Sequence, residues 1–415
     1  MGEDAVSVGI DQIGVYFPRH VLSLDRLAAA RHVPEEKIHQ GLGCYKMAIS
    51  APWEDAVTLG ANASARLLAQ AQVDPDEIGL LLAATETAVD HAKPVSIFLH
   101  DLLGISRNCR VFEIKHACYG GTAGMMVAAD WIRSGAARGR KALVVSTDIA
   151  RYPLRSSAEF TQGAGAAALL LSAQPRLLAL DPISGVFAKS VYDFWRPLDK
   201  REALVDGKFS VDCYLEALSG AIADYRAALN GASQISAAPF HKQLAALLYH
   251  TPFPKMAYKA HLRLLDTEWR RSGMLPTDPA EEAERSYAAL VEPWLEAARL
   301  VGNIYTASLY LCLAWLAERA AERFEGKRIG LFSYGSGCCA EFFTGTMVPG
   351  SAGVAARIGV ADLLAARQEL TVDEYEQFAS DRAEGGTPPA PDGGFCYLAA
   401  VREDKRFYER TGVSG

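Results

Sequence analysis

The sequence of 415 residues lacks several features that mark special classes of protein. No stretch comes near the roughly 20 consecutive apolar residues that a membrane-spanning helix needs. The N-terminal segment MGEDAVSVGI carries acidic residues where an export signal carries Lys or Arg. The sequence shows no repeat of fixed period. We therefore expect a globular protein that is located in the cytoplasm and has no membrane partner.

The chain also lacks an excess of positive charge. It contains 42 Lys and Arg against 49 Asp and Glu, which gives a formal net charge of −7. Binding to nucleic acid draws on a basic surface that releases counterions from the phosphates, so nucleic acid is not an expected partner. Half of the residues are hydrophobic and 22% are charged, which is enough apolar material for a large core.

The eight cysteines do not follow a known disulfide or metal pattern. Cys338 and Cys339 are adjacent rather than spaced as a CxxC pair, and no Cys/His cluster has the spacing of a zinc site. Scattered cysteines in a chain of this size predict reduced thiols in a reducing compartment. The sequence therefore predicts no metal site.

Short apolar runs alternate with longer amphipathic segments along the chain, which predicts an α/β fold. We predict an N-terminal half of residues 1–174 and a C-terminal half of residues 175–415. The predicted strands include 8–18, 78–84, 110–114, 141–146, 164–172, 328–334, 340–346 and 394–401. The predicted helices include 55–71, 95–103, 121–133, 212–229, 281–300 and 305–323, and the turn-rich segment 381–394 is predicted to be a mobile loop.

The segment RVFEIKHACYGGTAG, residues 110–124, has the pattern of a strand, a glycine-rich turn and a helix. This pattern places Cys118 at the N-terminus of a helix, where the partial positive charge stabilises a thiolate. Gly120 and Gly121 let the backbone approach a bound substrate closely. Cys118 is therefore a candidate nucleophile, and the alternative from the sequence alone is a buried structural cysteine.

Three other segments place polar groups at the ends of apolar runs. Glu86 follows the run IGLLLAA, where apolar neighbours raise the pKa of a carboxyl group towards the range of a general base. His250 follows LAALLY and precedes a proline-restrained turn, so that its ring can project into a cleft. The turn SYGSG, residues 333–337, offers backbone amides for an oxyanion. The plain alternatives are an exposed loop glutamate, a structural histidine and an ordinary tight turn.

Six segments are informative as an ordered set: ATETAVDH, FEIKHACYGGTAG, TQGAGAAALL, YHTPFPKM, VGNIYTASLY and FSYGSG. In this set the sequence resembles the 3-hydroxy-3-methylglutaryl-CoA synthases, members of the thiolase superfamily, between residues 8 and 343. The segments RNCRVFEIKHACYGGTAG and SYGSGCCAEF resemble in particular the branch that serves polyketide assembly lines. The resemblance implies a duplicated αβαβα thiolase-like fold, with the active site between two similar halves.

The resemblance also implies a role for each residue that matches a family motif. Cys118 matches the acyl-accepting nucleophile, Glu86 the general base and acid, and His250 the residue that polarises the β-carbonyl of the acceptor. The implied substrate-binding residues are Asn303, Ser336, Gly335, Tyr152 and Lys255. The sequence departs from the family pattern at Phe160, where many relatives carry Pro, and at His116, where Gln is common.

The implied reaction condenses a Cys-bound acetyl group, delivered by an acetyl carrier protein, with the β-ketone of a β-ketoacyl carrier-protein thioester, and then hydrolyses the enzyme thioester. It introduces β-branches during polyketide and antibiotic biosynthesis and needs no cofactor. The first alternative is the synthase of the mevalonate pathway, which uses acetyl-CoA and acetoacetyl-CoA. Further alternatives are a non-catalytic homologue that docks carrier proteins and a decarboxylating ketosynthase. The family also implies a homodimer.

A carrier protein as partner requires a suitable surface. Carrier proteins are usually acidic, so an acidic enzyme needs a local basic patch to bind one. The run RSGAARGRK, residues 133–141, contains four cations and is a candidate for this patch. The alternative is that this run is an ordinary solvated helix end.

Overall fold

The structure is a computed structural model that describes residues 7–200, 202–231, 240–380, 385–386 and 394–411. These residues form sixteen strands: β1 Gly9–Tyr16, β2 His20–Ser23, β3 Lys46–Ile49, β4 Ile78–Ala84, β5 Arg110–Ile114, β6 Lys141–Ala150, β7 Gly163–Ser172, β8 Leu178–Ala188, β9 Phe194–Trp195, β10 Leu204–Val205, β11 Ala246–Tyr249, β12 Arg328–Gly335, β13 Cys339–Met347, β14 Gln368–Glu369, β15 Cys396–Arg402 and β16 Lys405–Arg410.

The same residues form thirteen α-helices: α1 Leu24–Arg31, α2 Glu35–His39, α3 Ala56–Ala71, α4 Val95–Leu102, α5 Gly120–Arg133, α6 Gly207–Gly231, α7 Pro254–Ser272, α8 Pro279–Leu290, α9 Glu296–Val301, α10 Ser308–Phe324, α11 Ser351–Ala355, α12 Val360–Ala365 and α13 Val372–Ser380. No helix in the described part of the chain combines the length and the apolarity needed to cross a membrane.

Nine of the strands form one mixed sheet, in the order β11-β12-β13-β8-β1-β7-β6-β4-β5. The sheet contains the same arrangement twice. In the N-terminal half β1 pairs antiparallel with β7, β7 antiparallel with β6, and β6 parallel with β4. In the C-terminal half β8 pairs antiparallel with β13, β13 antiparallel with β12, and β12 parallel with β11. The two halves join where β1 pairs antiparallel with β8. The prediction of an α/β fold with two similar halves is therefore confirmed.

Helices cover both faces of the strands of the N-terminal half. Leu143 and Val145 of β6 belong to a cluster that includes residues of α3 and α4. Ala142 and Val144, which point to the opposite face, belong to the cluster that includes residues of α5 and α10. Strands that are buried on both faces need continuous apolar sequences, which explains the run of apolar residues in β6. The first turns of α5 and α10 contact each other, since the hydroxyl groups of Thr122 and Tyr310 form a hydrogen bond at 2.7 Å.

Most of the predicted elements of the N-terminal half are confirmed. The strands 78–84 and 110–114 have the predicted bounds. The helix predicted over 55–71 begins at Ala56, because Asp55 caps it through a bond with the backbone N–H of Thr58 at 3.0 Å. The strand predicted to end at residue 146 runs on to Ala150.

The predictions for the C-terminal half were less accurate. The single helix predicted over 281–300 is wrong, since α8 ends at Leu290 and a 3-10 turn that contains Pro293 separates it from α9. The strand β8 was missed, as were β11 and α7. The loop predicted to be mobile lies largely outside the described residues. The division of the chain at residues 174 and 175 stays a prediction.

Candidate active site

Cys118 lies in the turn between β5 and α5. Ala117 has a φ of 40°, which is the left-handed region that favours glycine, so the chain turns sharply just before the cysteine. A Cβ atom at Gly335 would lie 2.6 Å from the amide nitrogen of Tyr119 and 2.7 Å from the carbonyl oxygen of His116. The glycine-rich turn after β12 therefore packs directly against the turn that carries Cys118. This contact brings the two halves of the chain together at one site.

Glu86 follows the neighbouring strand, β4. Ala84 and Ile114 pair in parallel register, so the C-terminal ends of β4 and β5 lie at the same edge of the sheet. As a result, the thiol of Cys118 donates a hydrogen bond to the Oε1 atom of Glu86 at 3.0 Å. A nucleophile and a base in direct contact form the arrangement that covalent catalysis requires.

The environment of this pair shifts both pKa values upwards. Burial, together with the charge of Asp148, raises the pKa of Glu86 to about 8. Burial and the neighbouring Glu86 carboxylate raise the pKa of the Cys118 thiol well above its ordinary value. The expectation of a thiolate stabilised at a helix N-terminus is therefore wrong for the resting site, because desolvation and a facing carboxylate outweigh the helix. A thiol with a raised pKa needs a base in order to act as a nucleophile, and the Glu86 carboxyl group is in contact with this thiol.

Asp148, which sequence reasoning missed, fixes the position of Glu86. Its buried carboxylate accepts hydrogen bonds from the hydroxyls of Thr85 and Thr87, at 3.0 and 2.9 Å, and from the amide of Glu86 at 2.7 Å. Its other oxygen accepts from the amide and the hydroxyl of Thr306, at 3.1 and 2.6 Å. Asp148 thus connects the loop of Glu86 to the segment that leads into α10. The motif STDIARY contains this residue, but the strand was predicted to end before it.

His250 directly follows β11, the edge strand of the sheet in the C-terminal half. Its ring is buried, and burial lowers the pKa of His250 to about 3. The backbone is held by a bond from its N–H to the carbonyl of Phe332 at 2.7 Å, and its own carbonyl accepts from the hydroxyl of Tyr214 at 2.8 Å. His250 is therefore a neutral imidazole over the physiological pH range, with one N–H to donate.

Two cavities meet at the Cys118–Glu86 pair. We call the first the Cys118-side cavity; it has a volume of about 250 Å³. Its lining includes Cys118, Tyr152, Thr161, Phe194, Val205, Gly207, Ser210, Tyr214, His250, Phe253, Met256, Asn303, Tyr305, Tyr334 and Ser336. We call the second the Glu86-side cavity; it has a volume of about 660 Å³. Its lining includes Glu86, Ala88, Asp90, His91, Glu113, Lys115, His116, Arg151, Phe194, Arg196, Lys200 and Ser336. Phe194 and Ser336 line both cavities, so they form the boundary between them.

The predicted substrate-binding residues Asn303, Tyr152 and Ser336 all line the Cys118-side cavity. The Oδ1 atom of Asn303 accepts hydrogen bonds from the amide of Tyr305 at 2.9 Å and from the hydroxyl of Ser308 at 3.1 Å, which fixes its side chain. The structure thus brings these three residues together with Cys118 and His250.

The other two predicted binding residues do not line either cavity. Gly335 contributes through its lack of a side chain, since no larger residue fits against the Cys118 turn. Lys255 lies in the first turn of α7, where its ammonium group stacks over the ring of Tyr258 at 4.1 Å. Phe253, two residues earlier, does line the Cys118-side cavity. The substrate-binding role of Lys255 itself stays a prediction.

Sequence reasoning also missed Asp193 and Phe194. The carboxylate of Asp193 is buried and accepts hydrogen bonds from the hydroxyl of Tyr334 at 2.7 Å and from the amide of Gly337 at 2.8 Å. It therefore holds the glycine-rich turn next to Ser336. The signal for both residues was the segment VYDFWRP, in which an acidic residue stands among aromatic ones.

A duplicated α/β fold with a buried thiol–carboxyl pair is suited to covalent catalysis, and the comparisons with known proteins identify the class of enzyme. The family model of the hydroxymethylglutaryl-coenzyme A synthase N terminal matches residues 5–175, and the model of the C terminal matches residues 178–280 and 278–385. The chain therefore belongs to the hydroxymethylglutaryl-CoA synthase family, whose members are acyltransferases that form a carbon–carbon bond and have the thiolase fold.

Individual relatives include enzymes of both kinds considered above. The hydroxymethylglutaryl-CoA synthase of Enterococcus faecalis is 37% identical over 406 residues, which cover 97% of this chain and 100% of the relative. The polyketide biosynthesis 3-hydroxy-3-methylglutaryl-ACP synthase PksG of Bacillus subtilis is 34% identical over 384 residues, which cover 89% of this chain and 87% of the relative. The solved structure of MvaS in complex with 3-hydroxy-3-methylglutaryl coenzyme A matches with a TM-score of 0.93 and 44% identity, over 98% of this chain and 99% of that chain. The predicted family and fold are confirmed.

Proposed function

We propose that this enzyme loads an acetyl group onto Cys118, condenses it with the β-ketone of an acetoacetyl thioester, and releases the product by hydrolysis. The observation that carries this proposal is the 3.0 Å contact between the Cys118 thiol and the Glu86 carboxyl group at the junction of two cavities. The roles of the individual residues are part of the proposal.

In the first step the Cys118 sulfur attacks the carbonyl carbon of the acetyl thioester, and the thiol proton moves to Glu86. The raised pKa of Glu86, about 8, makes its carboxylate a stronger base than an exposed glutamate. The sulfur of the donor leaves and takes that proton from Glu86, so that the donor departs as a free thiol, the Glu86 carboxylate is restored and the acetyl group remains on Cys118. The donor's long thioester arm occupies the Cys118-side cavity, which ends at the cysteine.

In the second step Glu86 removes a proton from the methyl group of acetyl-Cys118, and the resulting enolate attacks the β-ketone of the acceptor. The alkoxide that develops needs a proton or a hydrogen bond. Neutral His250, whose pKa is lowered to about 3, donates an N–H in this environment without carrying a charge into the apolar cavity. Asn303 lines the same cavity and offers further polar contact to the acyl chain.

We propose that coenzyme A, rather than an acyl carrier protein, carries the acyl groups of the donor and the acceptor as thioesters. The support is the higher identity with the structure of MvaS in complex with 3-hydroxy-3-methylglutaryl coenzyme A, 44%, than with the structure of PksG, 32%. This choice differs from the polyketide reaction that we favoured from the sequence. The carrier-protein reaction stays the second candidate, because the segment 204–209, which contributes Val205 and Gly207 to the lining of the Cys118-side cavity, carries exposed apolar side chains. Val205 is 41% exposed, Leu204 37% and Phe209 42%, as a protein partner would require.

The basic run at residues 133–141 is poorly suited to bind a carrier. Arg133 pairs with Asp130 at 3.2 Å, Arg140 donates to the carbonyl of Asn108 at 2.6 Å, and Lys141 pairs with Glu77. None of the four cations of this run lines the Cys118-side cavity. A cation next to that cavity is Lys208, which is exposed in the first turn of α6 beside Gly207.

The experiment that distinguishes coenzyme A from a carrier protein compares acetyl-CoA with an acetylated acyl carrier protein at equal concentration. We expect acetyl-CoA to acetylate Cys118 at least as fast as the carrier. A carrier that is faster, with an advantage that shrinks in high salt and in Phe209→Ser, supports the polyketide reaction instead. Arg138→Gln, which removes an exposed charge at a residue that lines neither cavity, is the matched control for nonspecific charge effects.

We also propose that the enzyme is a homodimer. In the described part of the chain β5 ends the nine-stranded sheet and has a strand partner on one side, β4. The side chain of Phe112 in this edge strand is 41% exposed. An exposed strand edge with an aromatic side chain is suited to pair with a second copy of itself. Light scattering after gel filtration tests this proposal, and Phe112→Lys is expected to weaken the dimer.

A cytoplasmic location is consistent with the state of the thiols. All eight cysteines are free in the structure, as they are in a reducing compartment. We therefore propose that the enzyme works in the cytoplasm, and fractionation of the producing cells tests this point.

A further inference from the structure

The Cys118–Glu86 pair lies between two cavities that reach it from different sides. Cys118 lines the first and Glu86 lines the second, while Phe194 and Ser336 line both. The Glu86-side cavity has a volume of about 660 Å³, which is room for many water molecules at roughly 30 Å³ each. The loading and condensation steps proposed above use the Cys118-side cavity. Apart from Glu86 itself, no residue that lines only the second cavity takes part in them.

The last step of the proposed reaction needs a water molecule at the acyl group while the thioester arm still occupies the Cys118-side cavity. Hydrolysis occurs when the product is still bound to Cys118 through one end and to its thioester arm through the other. The arm then fills the Cys118-side cavity, whose volume is about 250 Å³ and whose lining is rich in aromatic residues such as Tyr214, Phe253 and Tyr305. Water that shared this route would have to pass the arm. A separate route removes the conflict.

We infer that the hydrolytic water reaches the acyl group on Cys118 through the Glu86-side cavity. This inference rests on the proposed function. The lining of that cavity supplies the polar partners that ordered water needs, among them Asp90, His91 and Lys115. At its inner end lies Glu86, the same carboxyl group that contacts the sulfur at 3.0 Å. Water that arrives there meets a base and the acyl carbon together.

The step balances without any further reagent. The oxygen of water bonds to the carbonyl carbon of the Cys118 thioester, and one water proton passes to the Glu86 carboxylate. The carbon–sulfur bond breaks, and Glu86 returns that proton to the sulfur, which restores the thiol. The product is a carboxylic acid that loses its remaining proton to solvent.

Charges in the Glu86-side cavity suit this step. The guanidinium of Arg196, which lines the cavity, lowers the pKa of Glu86 and so partly offsets the effect of burial. A nearby cation also stabilises the carboxylate that hydrolysis creates beside Glu86, where two negative charges would otherwise repel each other.

The first test uses the wild-type enzyme and blocks the Cys118-side cavity. Acetyl-Cys118 is prepared with acetyl-CoA, excess reagent is removed, and loss of the acetyl group is followed by intact mass. Desulfo-CoA, which has no thiol to take the acetyl group back, is then added at saturating concentration. We expect hydrolysis to stay within about twofold of its rate without the analogue. Hydrolysis that stops as desulfo-CoA binds shows that water uses the Cys118-side cavity, and it overturns the inference.

The second test fills the Glu86-side cavity. Ala88 lines it and is not part of the proposed chemistry. We expect Ala88→Phe to acetylate Cys118 at a rate within about threefold of wild type but to hydrolyse acetyl-Cys118 at least about tenfold more slowly. Ala136→Phe, at an exposed position in the turn after α5, is the matched control and should change neither rate.

The outcomes separate this inference from the proposed function. A folded Ala88→Phe protein that hydrolyses acetyl-Cys118 at the wild-type rate overturns the water route and leaves the proposed reaction intact. Wild-type enzyme that takes up no acetyl group on Cys118 overturns the proposed function itself. If Ala88→Phe does not fold, Ala88→Leu replaces it, and the desulfo-CoA measurement decides the question independently.

Discussion

The contact between Glu86 and Cys118 makes a quantitative prediction about pH. Loading requires the ionised carboxylate, and the pKa of Glu86 is raised to about 8. Below this value the group is protonated, so the rate must fall as pH falls. At pH 6, two units below, about 1% of Glu86 is ionised, and acetylation of Cys118 should be about a hundredfold slower than on the plateau above pH 9. A preformed thiolate of low pKa would instead stay ionised over this range and give a flat profile between pH 6 and 9.

The substitution Glu86→Gln removes the base and keeps the shape of the side chain. The step near pH 8 should disappear, and loading should be slow and limited by the thiol, whose own pKa is high. Condensation should fall by at least about a hundredfold, the low end of the range for loss of general acid–base catalysis. The assay is the rate of acetyl-CoA-dependent mass increase of the protein between pH 6 and 9.5.

Glu113→Gln is a matched control for this experiment. Glu113 lines the same cavity as Glu86 and also has a pKa raised by burial, but its carboxylate accepts a bond from the amide of Val95 at 2.6 Å. This variant should keep the step near pH 8. A flat profile for the wild-type enzyme, or an unchanged step in Glu86→Gln, would refute the assignment of Glu86 as the base.

Three further substitutions test other parts of the account. His250→Ala should lower condensation by at least about a hundredfold and leave loading within about threefold, measured by acetoacetyl-CoA consumption and by intact mass. Asp148→Asn should lower the free energy of unfolding by at least about 2 kcal/mol in urea denaturation, because a buried amide cannot accept all the bonds that the carboxylate accepts. Gly121→Ala should cost about 1–3 kcal/mol by overpacking, since its Cβ would lie 2.2 Å from the Oγ of Ser146, whereas Gly353→Ala, with open space around it, should be neutral.

The sequence predicted the α/β class and several elements well, for identifiable reasons. The strands β4 and β5 are short apolar or alternating runs between turns, and α4 ends just before Gly104, whose φ of 67° ends the helix. Such signals are local, so they do not depend on what the segment packs against.

The strand β8 was missed because its sequence opposes the assignment. The segment LALDPISGVFA contains a proline and a glycine, which are normally unfavourable in a central strand. In the structure the pairing with β13 is irregular between Phe343 and Gly345, opposite the segment that contains Pro182. A Cβ at Gly185 would lie 2.2 Å from the carbonyl oxygen of Ala221, so α6 packs closely on the strand. Only the tertiary context makes this segment a strand.

The prediction of the site from sequence was limited in the same way, by its dependence on tertiary contacts. Cys118, Glu86 and His250 could be named from their motifs, and the parallel strands β4 and β5 explain why the first two lie together. The direction of the Cys118 pKa shift could not be predicted, because it depends on the distance to Glu86 and on burial. The role of Asp148 in fixing the Glu86 loop was equally hidden, since its five hydrogen-bond donors come from two separate segments, residues 85–87 and Thr306.

The most direct test of the central proposal is to locate the acetyl group after incubation with acetyl-CoA. Peptide mapping by mass spectrometry should find a single acetylated cysteine, Cys118, and Cys118→Ala should take up none. Cys339, which is partly buried and lines neither of the two cavities, is the internal control among the free thiols. Acetyl on Cys339 or another thiol, with Cys118→Ala still acetylated, would contradict the proposal that Cys118 is the nucleophile.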